Sequence, residues 1–379
     1  MSTARIIFTG GGTGGHLFPA IAIADRLSEL MKGKREVEII FVGTRRGLEY
    51  RMREKLGYPL HTINMRGIIR GITLVNLLVP FVIATALMKS VSLLSRFQPD
   101  IVIGTGGYVC WPVLKVAAWK NIPTLLQEQN SYPGVATRQL ASAAKKIYLG
   151  FEKAKEYLKT SAEIMVTGNP VRASITSGRR EAALETYGLL PERRTILVLG
   201  GSQGARAINN AVLRSLEKEK LNQGVQLLWQ TGSRDHKEVE IMAAKKVSNC
   251  ALFPFAQQME QVYAAADLVI ARAGALSLAE ITACGLPAIL IPYPHAAGDH
   301  QKKNAENYVS RGMARMIEEM DLENIDIIAE AVDLLESDEY SRMKTAIARE
   351  TAGQRPAVDI IAEDIIRQIE GMKTTGDRE

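Results

Sequence analysis

The stretch Ile6-Ile7-Phe8-Thr9-Gly10-Gly11-Gly12 returns half a chain length later as Ile196-Leu197-Val198-Leu199-Gly200-Gly201-Ser202. Each copy is an apolar run, then a glycine-rich turn, then a segment with helical apolar spacing. That order opens a Rossmann-type unit. The first copy continues Thr13-Gly14-Gly15-His16, so Gly10-x-Gly12-x-x-Gly15 spells the dinucleotide fingerprint letter for letter. A dinucleotide site also needs an acidic residue at the end of the next strand, for the ribose. Here that strand is followed by Arg45 and Arg46. The arginines leave an NADP reading open and weaken an NAD one.

Outward from these turns, short apolar runs alternate with helical segments. VEIIFVG (37–43), PDIVIGTGG (99–107), IPTLLQEQN (122–130) and KKIYLGF (145–151) read as strands of the first half. VQLLWQTG (225–232), CALFPFA (250–256), ADLVIARAG (266–274) and LPAILIPYP (286–294) read as strands of the second. Leu17, Ala20, Ile21, Ala24, Leu27 and Met31 keep helical spacing, with Pro19 expected in the first turn, where its missing N–H costs nothing. RGLEYRMREKLG (46–57) reads as a helix. The predicted fold class is α/β, with two Rossmann-like doubly wound parallel-sheet domains. They are expected at 1–165 and 166–350, joined near VTGNPVRAS (166–174), with a C-terminal helix and tail at 351–379. Ligands of such sheets bind beyond the strand C-termini. Every glycine-rich turn here lies at such an edge, so a central cleft faced by both domains is the expected site.

A length of 379 residues favours two domains, and 46% hydrophobic with 23% charged residues fits a globular chain. No secretory signal precedes the first strand. Cys110, Cys250 and Cys284 are far apart and read as small hydrophobes of a reducing compartment. The net charge of +6 is uneven: residues 1–165 carry 22 Lys+Arg against 11 Asp+Glu. An excess of this size suits an anionic partner or an ordinary solvated surface. Between Lys55 and Gln127 the sole acidic residue is Asp100, and within that span lies the apolar stretch Gly71 to Met88. The stretch contains Asn76, Thr73 and Pro80 and is short for a membrane span. Its basic flanks suit interfacial docking; a core helix is the alternative.

Several residues could carry chemistry. His16, after the glycines at a strand edge, is a candidate general base or a structural histidine. Glu280 could accept two hydrogen bonds from a ribose diol or solvate a helix face. GGSQGAR (200–206) offers Ser202 and backbone amides to a diphosphate. His295, Asp299, His300 and Gln301 cluster past another strand end without the spacing of a metal site.

Seven motifs in order, GGTGGHLFPA (11–20), GTGGYVCWP (104–112), QEQNSYPG (127–134), GNPVR (168–172), LGGSQGAR (199–206), ARAGALSLAE (271–280) and PHAAGDHQKKNA (294–305), resemble glycosyltransferase family 28. The resemblance implies the GT-B fold. It implies an inverting transferase moving N-acetylglucosamine from UDP-N-acetylglucosamine to lipid I, giving lipid II, at the cytoplasmic face of a bacterial membrane. In its donor site Thr13, Gly14 and Gly15 would lie beside the donor, and Asn130 and Gln301 would contact the sugar. Arg172 and Ser202 would face the diphosphate. Ala256 would read uracil, and Ala275, Leu276, Ser277, Leu278, Ala279 and Glu280 would wrap the nucleotide, Glu280 at the ribose. The region 66–96 would dock on an anionic membrane surface. The resemblance implies no nucleic acid partner, no metal ligands and no cofactor, with help from a divalent cation left open. The family often has His where this chain has Gln127, which leaves His16 as the candidate base. A related transferase acting on another lipid acceptor, a UDP-sugar epimerase, a dehydrogenase and a non-catalytic nucleotide sensor are the competing readings.

Overall fold

The computed structural model describes residues 3–65, 79–201, 204–218, 224–244 and 249–376. The chain divides into two compact units, Met1–Arg172 with Arg355–Glu379, and Ala173–Gln354. The C-terminal segment, expected to stand apart, therefore belongs with the first unit.

The first unit contains β1 (Ala4–Gly10), α1 (Gly14–Met31), β2 (Val37–Gly43), α2 (Leu48–Arg51), β3 (Leu60–Thr62), α3 (Val79–Phe97), β4 (Ile101–Gly106), α4 (Cys110–Trp119), β5 (Thr124–Glu128), α5 (Val135–Leu140), β6 (Lys146–Leu149) and β7 (Glu163–Val166). Among the described residues its strands form one parallel sheet in the order β3-β2-β1-β4-β5-β6-β7. The central strands are apolar throughout because helices cover both faces. Side chains alternate along β1. Ile6 and Phe8 join the layer of α1, while Ile7 joins the layer of α3 and α4. The order reverses between β1 and β4, which makes a topological switch point at the two turns that follow them.

The second unit contains α6 (Arg180–Tyr187), β8 (Arg194–Leu199), α7 (Arg206–Lys218), β9 (Val225–Gln230), α8 (His236–Ala244), β10 (Cys250–Phe253), α9 (Met259–Ala265), β11 (Leu268–Ala271), α10 (Ala275–Ala283), β12 (Ala288–Leu290), α11 (His300–Ser310), β13 (Ala314–Met316), α12 (Ile327–Glu336) and α13 (Asp338–Thr351). Its parallel sheet runs β10-β9-β8-β11-β12-β13, with the switch point between β8 and β11. The two sheets thus repeat one plan, as the repeated strand and turn predicted.

A last helix, α14 (Ala357–Gly376), packs on α1, and its Ile361, Ala362, Ile365 and Ile369 share a core with Ile6, Phe8 and Leu17. Each large aliphatic buried this way contributes about 1.5–3 kcal/mol. A polar clasp adds to it: Lys146 Nζ pairs with Asp364 at 2.9 Å and Glu163 at 2.7 Å, and the Tyr148 hydroxyl donates to Asp364 at 2.7 Å.

Two local expectations are corrected. Gly14 and Gly15 are recruited into α1, so Pro19 lies inside the helix, not in its first turn. It removes the N–H that would bond the Gly15 carbonyl. Residues 46–57 do not form one helix. They form the single turn α2 and a 3₁₀ turn at Arg53–Lys55, because Glu49 points inward and holds the turn.

Candidate active site

In the first unit the glycine-rich turn closes around a carboxylate of its own chain. Glu49 is 1% exposed. Its Oε2 accepts the Gly12 N–H at 2.8 Å, and its Oε1 accepts the Thr44 N–H at 2.8 Å and hydroxyl at 3.2 Å. A Cβ on Gly11, Gly43 or Gly47 would stand 2.5, 2.3 or 2.1 Å from this side chain, so these glycines make room for it. The Gly12 amide that would face a pyrophosphate in a dinucleotide site is thereby occupied. The fingerprint is present in letters, and its anion is internal.

Past this turn, Thr13 is the N-cap position of α1, and Thr13 and Gly15 are exposed while Gly14 is half-buried. His16 is half-buried, with Nδ1 3.1 Å from the Thr105 carbonyl and 3.0 Å from Gln129 Oε1. The Thr105 hydroxyl in turn donates to the His16 carbonyl at 2.7 Å. Gly106 and Gly107, both at positive φ, form the wall against which the ring lies. Asn130, on the loop after β5, donates through its N–H and Nδ2 to Glu128 Oε1 at 3.0 and 3.2 Å, and Glu128 Oε2 accepts the Gly134 N–H. A second buried carboxylate thus shapes a second edge loop. Arg172 ends this unit with its guanidinium 5.8 Å from the Phe18 ring centroid.

In the second unit the corresponding turn follows β8. The Gly200 N–H donates to the Gln230 carbonyl at 3.0 Å, and Gly204 closes the turn on Gly201. Ser202 lies outside the described residues. Among those described, no carboxylate accepts a backbone N–H of this turn, although Asp235 Oδ2 would lie 3.2 Å from a Cβ on Gly204. Ala256 is buried and its N–H donates to Gln230 Oε1 at 2.9 Å. Gly274 caps α10, whose first turn is Ala275, Leu276, Ser277 and Leu278. Ala279 and Glu280 follow, both half-buried, and Glu280 Oε2 accepts the Tyr263 hydroxyl at 3.0 Å. Gln301 Oε1 accepts the Tyr293 N–H at 3.0 Å.

Two braces of these loops lie within the quoted motifs but were not among the expected site residues. Asn304, fully buried, donates to the Ala273 carbonyl at 3.2 Å. Arg272 donates to the Ile291 and Pro292 carbonyls at 3.2 and 3.3 Å, pairs with Glu319, and lies over the Tyr293 ring. An amide among the buried positions of an otherwise polar helix was the available signal for Asn304. His295 packs edge-on to Tyr293 and His300 Nδ1 lies 2.8 Å from the Ala297 carbonyl. No group of three or more His, Cys, Asp or Glu among the described residues is arranged to hold a metal ion. Burial pushes the thiols of Cys110, Cys250 and Cys284 up to about 12, so all three stay protonated.

Of the apolar stretch 71–88, residues 71–78 and the basic Arg66 and Arg70 lie outside the described residues. From Val79 the chain is α3, long and apolar enough to cross a membrane by length and composition. Its inner stripe is Ala86, Ser90 and Leu94, while Phe81 and Met88 are 72% and 63% exposed. Lys89 lies on the exposed side and Arg96 in the last turn. On α4, Trp119 is also exposed, with Lys115 over its ring.

Comparison with known proteins gives the family. Residues 6–149 match the glycosyltransferase family 28 N-terminal domain, and 195–361 the C-terminal domain. A protein of Chlorobium luteolum is 44% identical over 91% of this chain and 93% of its own length. One of Chlorobaculum parvum is 43% identical over 89% and 93%. Both are named UDP-N-acetylglucosamine--N-acetylmuramyl-(pentapeptide) pyrophosphoryl-undecaprenol N-acetylglucosamine transferase. The crystal structure of Acinetobacter baumannii MurG superposes with a TM-score of 0.73 at 25% identity, covering 96% of this chain and 99% of that one. Matching domains in both halves, and two-fifths identity along nearly the whole length, place the chain in glycosyltransferase family 28, within the MurG family.

Proposed function

We propose that this protein is an inverting transferase that moves N-acetylglucosamine from UDP-N-acetylglucosamine to the C4 hydroxyl of N-acetylmuramic acid in lipid I, giving lipid II. The observation that carries the reading is the inequality of the two glycine-rich turns. The first is filled by Glu49 and leads to His16; among its described residues the second gives no backbone N–H to a carboxylate. A nucleoside diphosphate therefore belongs with the second unit, at the N-termini of α7 and α10. The names of the relatives supply the sugar and the acceptor.

In the reaction the acceptor oxygen forms a bond to the anomeric carbon, and the bond to UDP breaks with its electron pair. His16 takes the hydroxyl proton, a contribution of roughly 10²–10⁴-fold. Arg172, Ser202 and the two helix N-termini stabilise the charge on the departing diphosphate. Glu280 accepts the ribose hydroxyls, Ala256 meets uracil through its backbone, and Asn130 and Gln301 hold the sugar. Thr13, Gly14 and Gly15 border the donor. The exposed face of α3, with its cations, docks on the anionic cytoplasmic face of the membrane, where a lipid-linked acceptor resides.

The test is product analysis with UDP-N-acetylglucosamine and a short-chain lipid I analogue. The expected products are the disaccharide lipid and UDP. Turnover only with another lipid acceptor, or epimerised UDP-sugar without any acceptor, overturns the reading. His16→Ala should lower kcat by about 10²–10⁴-fold; near-normal turnover removes His16 from the chemistry.

A further inference from the structure

Gln129 follows β5, and its side chain turns back beneath the start of α1, only 2% exposed. A buried amide must satisfy both its donors and its acceptor. Its Nε2 donates to the Thr105 carbonyl at 2.7 Å, the Gln127 carbonyl at 3.1 Å and Gln127 Oε1 at 2.5 Å. Two of these partners are backbone carbonyls, which only accept. The orientation of the amide is therefore determined, and its oxygen faces His16. Asn169 Nδ2 donates to the Gln129 carbonyl at 2.9 Å and anchors the residue from the other side.

His16 Nδ1 thus meets two oxygens, Gln129 Oε1 at 3.0 Å and the Thr105 carbonyl at 3.1 Å. A ring nitrogen facing two acceptors has to carry the hydrogen, which leaves the lone pair on Nε2. The glycine backbone lies close against the ring, and turning the ring over would set Cδ2 rather than Nδ1 against both oxygens. A Cβ on Gly106 would lie 2.6 Å from Nδ1, and one on Gly107 would lie 3.4 Å from Cδ2.

We propose that Gln129 is a positioning residue that locks His16 in its Nδ1–H form and so keeps Nε2 as the basic nitrogen. The proposal rests on the reading of His16 as the base and gives that reading an atom. When the acceptor hydroxyl gives its proton to Nε2, the imidazolium holds both N–H bonds, and its charge is shared with two neutral oxygens. The titratable groups on the surrounding elements are engaged elsewhere. Glu49 of α2 holds Gly12 and Thr44, Glu128 of β5 holds Asn130 and Gly134, and Cys110 of α4 donates to the Thr9 carbonyl. Tyr108, on the same turn, borders Gly12.

The experiment is long-range ¹H–¹⁵N correlation of histidine-labelled protein. The chain has five histidines, so the His16 signals are assigned by their loss in His16→Ala. The wild type should show the Nδ1–H form above the imidazole titration. Gln129→Leu should give a mixture of tautomers and lower kcat by about tenfold or more, with the KM for UDP-N-acetylglucosamine within about twofold. The acidic limb of the kcat–pH profile should also move in Gln129→Leu. A wild-type His16 in the Nε2–H form overturns the proposal, and that measurement needs no variant. So does a Gln129→Leu protein whose tautomer and acidic limb are unchanged. If the tautomers behave as expected but His16→Ala still turns over, the lock stands and the base reading falls.

Discussion

Glu49→Gln tests whether an internal anion organises the first glycine-rich turn. The substitution keeps one oxygen, enough for the Thr44 N–H and hydroxyl. It sets an NH₂ group against the Gly12 N–H at the present 2.8 Å. A hydrogen bond to a buried charge contributes about 1.5–3 kcal/mol, and a buried donor left without an acceptor costs about 1–3 kcal/mol. Partial relaxation puts the expected loss near 3 kcal/mol, or about two orders of magnitude in the local opening equilibrium. Hydrogen exchange followed by mass spectrometry reads this directly at residues 10–17 and 40–47. Both segments should exchange about a hundredfold faster, and kcat should fall, because α1 begins on this turn and carries His16. Glu54→Gln is the control. Its side chain is 84% exposed and, among the described residues, pairs with Arg53, so it should change stability by less than about 0.5 kcal/mol. If Glu49→Gln leaves exchange in both segments at the control level, the carboxylate does not hold the turn.

The clasp on α14 gives a pH prediction. Burial would push Asp364 up, but the hydrogen bonds from Lys146 and Tyr148 outweigh it and hold the carboxyl below its ordinary value. A depressed carboxyl stabilises the fold above its unfolded pKa and loses that contribution as pH falls through the folded one. Asp364→Asn should therefore cost about 3 kcal/mol at neutral pH, with the difference from wild type vanishing in acid. Equal losses at both pH values would contradict the pairing. Lys146 is held above its ordinary value by Glu163 and Asp364 against the opposing effect of burial, so its contribution fades only in alkali. On α3, Phe81→Ser with Met88→Ser should weaken binding to anionic vesicles by about a hundredfold or more, since the two side chains together lose about 3–6 kcal/mol of attainable burial. Turnover on a short-chain acceptor should be unchanged; unaltered vesicle binding would exclude this face.

The fold was legible because parallel strands covered on both faces must be apolar runs, and β1 and β8 are such runs followed by glycines. The short edge strands β3, β7 and β13 were not. β7, Glu163–Val166, is only partly buried along its length and carries no such pattern. The turns at the strand ends were legible for the same reason as the strands: glycine marks close approach. What approaches was hidden. Leu48-Glu49-Tyr50-Arg51 has the composition of an exposed helical turn, and Glu49 meets Gly12 across 37 positions of sequence. Gln129 and His16 are further apart still, and a neutral amide leaves no charge pattern to betray its role. Pro19 was misplaced because the glycines, which read as turn, continue into α1.

The place of α14 also sets an order of events during synthesis. The second unit is continuous, and all of it is synthesised before residue 357. The first unit is emitted first but lacks a wall: the faces of Leu17, Ala20 and Ile23 wait for Ile361, Ile365 and Ile369. Domains that can close on their own fold as they emerge. Here the second unit needs no segment beyond Gln354, and the first holds an uncovered apolar face until α14 is made. Translation that stops before α14 would release a product with one finished unit and one sticky one, a substrate for chaperones and proteases.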